Sequence, residues 1–203
     1  MDVSAGVPVD DRALLQLLHS LFNFATLIYT KAGLTGGEAA FYYGLAGVFA
    51  AISALIWGFA SDFIGRRTAF LIGAVATVVM AVPSFYLAYY SAAVRDVVLL
   101  VLGAVLTGWF TQWVWGLVPV YLSERFATQR RGSGVGFGYS SGLFISAWMG
   151  LYSIPLYSLF KPIEGDNVWF IAAFWLMVAA LLYGIGAFIG PETLGEDLRQ
   201  VKE

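Results

Sequence analysis

The chain contains no cysteine, which excludes disulfides, thiolate metal ligands and thiol catalysis. Charge is scarce as well: Asp, Glu, Lys and Arg make up 12% of the residues, against about 25% in soluble domains. Water is therefore not the main solvent of the folded chain. The formal net charge of -2 provides no basic surface, which argues against nucleic acid as a partner. Asp10 and Asp11 precede the first apolar run, where a signal peptide is expected to carry positive charge, and no small-residue cleavage site follows it. That run is expected to stay in the protein. The long apolar runs contain no Asp or Glu, so the paired carboxylates and metal-ligand clusters of an intramembrane enzyme are absent. No catalytic residue, metal or cofactor is expected.

What the chain has in quantity is apolar surface, with 60% of its residues hydrophobic. A bilayer core about 30 Å thick is crossed by roughly 20 apolar residues of helix. Six charge-free stretches approach that length: Ala13 to Thr30, Ala39 to Ala60, Thr68 to Tyr90, Val97 to Leu122, Gly132 to Phe160, and Val168 to Gly190. The sequence thus predicts an all-α membrane protein of six transmembrane helices. Residues 1–12 form a cytoplasmic N-terminal segment, 13–190 the six-helix domain and 191–203 a cytoplasmic tail. Sidedness follows from the basic residues, which accumulate on the cytoplasmic side. Arg12, Arg66, Arg67, Arg125, Arg130, Arg131, Arg199 and Lys202 fall on one face, and only Lys31, Arg95 and Lys161 on the other. Both termini are expected in the cytoplasm, with Tyr89, Tyr90 and Trp169 in the outer aromatic belt of a cell membrane.

Polar residues divide the spans by role. In the first, Gln16, His19, Ser20, Asn23, Thr26 and Thr30 recur every three or four residues, which sets them on one helix face. Facing lipid, that stripe would be unsatisfied, so it is expected to line a cavity. The fourth span repeats the pattern with Thr107, Thr111, Gln112 and Trp115, flanked by Trp109 and Trp113. The second span carries Gly47, Ala51, Ala54 and Gly58, and the fifth Gly134, Gly138 and Gly142 interleaved with Gly132 and Gly136. Such small-residue ladders let backbones approach closely, so these two spans are expected to pack helices together. The third and sixth, nearly without polar side chains, are expected to face lipid. Lining, packing and lipid-facing spans therefore recur with a period of three.

Three connecting motifs sharpen this reading. Between the second and third spans stands G-F-A-S-D-F-I-G-R-R, Gly58 to Arg67, in which two glycines permit a tight turn, Asp62 is a fixed anion and two arginines are forked donors. Between the fourth and fifth lies P-V-Y-L-S-E-R-F-A-T-Q-R-R-G-S-G, Pro119 to Gly134, and after the sixth comes P-E-T-L-G-E-D-L, Pro191 to Leu198. Together they resemble the cytoplasmic loops and tail of major facilitator superfamily transporters, with the second and third motifs closest to the sugar porters and metabolite:proton symporters. Ala127 stands where that family usually has Pro, and Leu194 where it usually has Lys. The Ser-Glu-Arg-Phe loop and the Pro-Glu-Thr tail match the C-terminal six-helix half.

The resemblance implies one half of a transporter, built as a 3+3 inverted repeat. It implies secondary transport of a small organic solute, an organic acid or sugar, possible proton coupling, and alternating access with a second six-helix half. That half would be a second copy or a separate N-terminal half. It also implies that Asp62 meets a helix start in the opposite half, and that Asp62, Arg66, Arg67, Glu124 and Arg131 form a cytoplasmic network. A topogenic basic loop, with solvated pairs worth no more than about 1 kcal/mol each, is the plainer reading. His19 either meets an anionic substrate or proton, or is a hydrogen-bonded neutral imidazole between helices. Gln112 and its tryptophans form either a substrate platform or packing. A scaffold that does not transport, or a fragment of a longer transporter, is the alternative to a half-size dimer with the glycine-rich spans at its interface.

Overall fold

The computed structural model of the chain describes residues 24–126, 129–146, 148–164 and 169–195, and among these every regular element is a helix. Gln16, His19 and Asn23 lie outside the described residues. A short helix, α1, covers residues 24–31. It is followed by α2 (Gly36–Ile64), α3 (Arg66–Val94), α4 (Val97–Gln112), a 3-10 turn (Trp113–Gly116), α5 (Val118–Glu124), α6 (Arg131–Ser146), α7 (Met149–Glu164) and α8 (Trp169–Ile189).

Local chemistry sets the helix starts. Thr35 and Glu38 form a capping box before α2, with Thr35 N–H donating to Glu38 Oε2 at 2.8 Å and Glu38 N–H to Thr35 Oγ1 at 3.3 Å. Each satisfies an orphan donor of the other. Asp96 caps α4 by accepting from Leu99 N–H at 3.0 Å. Arg95 just before it adopts φ +54° and donates from Nη2 to Gly33 O at 2.6 Å, tying the α3–α4 turn to the α1–α2 loop.

Among the described residues, four stretches are long and apolar enough to cross a membrane: Gly36–Ile64, Arg66–Val94, Val97–Glu124 and Trp169–Ile189. Within the span expected from Gly132 to Phe160 the described residues form α6 and α7, of 16 residues each, on either side of residue 147. Five glycines in α6 and prolines at 155 and 162 in α7 lower the helix propensity of this stretch.

The larger core cluster lies where α3 meets the 3-10 turn, α5 and α8. Trp113 is its centre: its ring sits on Gly73, its Nε1–H donates to Thr77 Oγ1 at 2.8 Å, and Trp57 packs 5.2 Å away between centroids. Phe70 bridges Trp113, Tyr121 and Tyr183. The third and sixth spans, expected to face lipid, therefore also pack into the core. Phe70, Ala74 and Phe85 of α3 and Ala172, Leu176 and Tyr183 of α8 are buried, while Val75, Val79, Ile185 and Phe188 lie on exposed faces. A helix without polar groups suits lipid and a close-packed neighbour equally, and polarity alone does not separate the two faces.

Candidate functional site

Two constellations carry chemistry. The first is a charged cluster where the ends of α2, α3, α5 and α8 converge. Arg66 is its hub, with a side chain only 7% exposed. Its guanidinium pairs with Asp62 at 2.6 Å and Glu124 at 3.1 Å and donates to Ser61 Oγ at 2.5 Å. Glu124 also accepts from Thr193 Oγ1 at 2.5 Å, which brings the tail after α8 into the cluster. Two carboxylates and a hydroxyl around one poorly solvated cation balance the charge that burial would otherwise leave unpaired.

Glu192 holds the start of α3 from 126 positions away. Its Oε1 accepts from Arg66 N–H at 2.8 Å and its Oε2 from Arg67 N–H at 3.1 Å, and Thr193 and Leu194 N–H close on Oε1. A carboxylate on the first N–H groups of a helix satisfies orphan donors and complements the helix dipole. Partial burial alone would raise the pKa of Glu192, but bonds from the Leu194, Arg66, Arg67 and Thr193 backbone outweigh it and hold this carboxyl below its usual range. Gly65 makes the approach possible. Its φ is +93°, and a Cβ there would stand 2.5 Å from Glu192 Oε2, so both conformation and space call for glycine.

Of the residues expected in this network, Asp62, Arg66 and Glu124 come together. Arg67 turns away, donating from Nε to Ala187 O at 3.1 Å and from Nη2 to Phe188 O at 2.8 Å at the end of α8. Arg131 makes no ion pair among the described residues, and its Nε and Nη2 are buried without a partner. Ser61, Glu192 and Thr193 are members that sequence reasoning missed. The Pro-Glu-Thr tail was their signal, with an acid and a hydroxyl directly after a helix-ending proline.

The second constellation is a groove of about 270 Å³ beside α2 and the 3-10 turn, lined by Tyr43, Gly47, Ala51, Ala54, Gln112 and Trp115. Gln112 is 8% exposed, and its Nε2 has no hydrogen-bond partner among the described residues. Thr107 and Thr111 stand behind it, wholly buried, with hydroxyls that donate to Gly103 O and Thr107 O of their own helix. Thr26 is half-buried on α1. Trp113 belongs to the core and not to the groove. Gly47 and Ala51 therefore line a groove, while Gly58 packs against the Gly116 carbonyl. Gly134 packs under the ring of Phe126; Gly138 and Gly142 follow it in α6.

Membrane-length apolar helices, with a buried ion-pair cluster at their ends and a largely apolar groove floored by Gln112, define a polytopic membrane protein. The family model described as "Sugar (and other) transporter" matches residues 15–203, and the chain belongs to that family. It is a family of transporters and not of enzymes. No curated protein matches the chain.

Proposed function

We propose that the chain carries out secondary transport of a small organic solute by alternating access, with a second six-helix half completing the pathway. The observation that carries this reading is the Gln112 amide. A buried donor without a partner costs about 1–3 kcal/mol, and a ligand hydroxyl or carboxylate reaching the groove would recover that loss. Trp115 beside it offers the apolar face that a sugar ring or short carbon chain requires. The lining named above includes no charged side chain, which favours a neutral, hydroxylated solute over an organic acid. Proton coupling would have to use groups outside this groove.

In this reading the chain adopts the six-helix half of a 3+3 repeat, lies in the cell membrane with both termini in the cytoplasm, and uses the Asp62–Arg66–Glu124 cluster as its cytoplasmic latch. The test is uptake of labelled hexoses and small carboxylates into proteoliposomes holding the purified protein. Gln112→Leu is expected to lower uptake at least tenfold, the weight of roughly 1.4 kcal/mol, with thermal stability kept or raised. Uptake equal to empty liposomes for every solute, with folded protein present, would refute the transport reading.

A further inference from the structure

On another face of the molecule, α3 and α8 part to leave a groove of about 630 Å³. Leu71, Val75 and Val79 form one wall and Gly184, Ile185 and Phe188 the other, and every lining residue is apolar. From Leu71 to Val79 the wall runs about 12 Å at 1.5 Å per residue. That approaches the depth of one leaflet, half of a hydrocarbon core about 30 Å thick. The floor is open, since a Cβ on Gly184 would touch only Ala74 Cβ, at an ordinary 3.5 Å.

A cation stands at the mouth. Arg67 lies one helical turn before Leu71, and its guanidinium carbon is 5.7 Å from the Phe188 ring centroid. Its two acceptors are the uncharged carbonyls of Ala187 and Phe188, and no carboxylate among the described residues pairs with it. A guanidinium has more N–H donors than these two bonds use, and Arg67 is half-exposed. An apolar channel of one-leaflet depth, headed by a cation with donors to spare, is complementary to one kind of molecule. We propose that this groove holds an acyl chain of an anionic glycerophospholipid, with the lipid phosphate on the Arg67 guanidinium. The apolar walls would accept a chain from any lipid; the guanidinium selects the charged headgroup. The site shares no residue with the Gln112 groove, so it stands apart from the transport reading.

The test uses the purified full chain in phosphatidylcholine nanodiscs containing phosphatidylglycerol with a photoactivatable acyl chain, and maps labelled residues by peptide mass spectrometry. Label is expected to concentrate on residues 71–79 and 180–189, above exposed apolar positions elsewhere such as Leu55 and Phe59. Gly184→Phe, which fills the groove from its floor, should remove that excess; Ile185→Trp, at the exposed wall, does the same should the first variant fail to fold. Arg67→Gln should lower the preference for labelled phosphatidylglycerol over labelled phosphatidylcholine about fivefold, the effect of one basic group at an anionic surface. Arg67→Lys should keep most of it. Even labelling of the groove and of Leu55 and Phe59, labelling that survives both occluding variants, or a preference unchanged in Arg67→Gln would each overturn the proposal.

Discussion

Gly65 is the residue whose replacement has the most direct consequence. Its φ of +93° with ψ of 149° falls in a region that side chains avoid at a cost of about 1–3 kcal/mol, and a Cβ would also push Glu192 off the first turn of α3. Gly65→Ala is expected to lower the thermal midpoint by more than the conformational cost alone, and combining it with Glu192→Gln should be less than additive, as a double-mutant cycle would reveal. Glu192 makes a pH prediction. A carboxyl held below its usual value adds stability above its unfolded pKa, about 4.3 for Glu. That stability is lost as pH falls through the folded value. The gap in midpoint between the native chain and Glu192→Gln should therefore be constant near neutrality and shrink below about pH 4.3. The acid was visible in the sequence as part of a motif; its partner was not, because a helix start 126 positions away leaves no local pattern.

Between elements, the closest approach is that of α2 to α4 and the 3-10 turn. Cβ atoms at Gly108 and Gly116 would overlap the carbonyls of Ala46 and Ala54, and Ser53 Oγ donates across the same seam to Trp109 O at 2.9 Å. In lipid, where hydrophobic burial between helices contributes little, such contact and hydrogen bonding are what hold helices together. Gly116→Val is expected to cost about 1–3 kcal/mol through overpacking and to reshape the groove whose walls are Ala54 and Trp115, which chemical unfolding and uptake would measure together. The glycine ladder in the second span made part of this seam legible. Its partners were less so, since Gly108 on α4 and Gly116 in the 3-10 turn are two isolated glycines and not a ladder. The core packing of the third and sixth spans was hidden for a related reason: hydropathy reports that a face is apolar and is silent on whether a lipid or a helix covers it.

For the molecule as a whole, hydropathy anticipated the four stretches of membrane length found among the described residues, and the fifth expected span holds α6 and α7 on either side of residue 147. The charged cluster leaves Asp62 half-exposed, with a side chain 51% accessible, on the end of the bundle where a second half would meet it. Because the chain has no cysteine, Asp62→Cys and Gly132→Cys introduced together should crosslink between chains in membranes if two copies form the transporter; crosslinks absent under all oxidising conditions would leave a separate N-terminal half as the partner. The cap on α3 also has a consequence for how the protein is made. Residues 66 and 67 leave the ribosome well before residue 192, and at about 5–20 residues per second the interval is on the order of ten seconds. During that time the first turn of α3 must sit in the inserting membrane with its N–H groups served by water or headgroups, and α3 acquires its final start only when the segment after α8 arrives. Capping of α3 should therefore wait for the segment after α8, and chains stalled before Pro191 should expose the Gly65–Arg66 bond to protease where longer chains protect it.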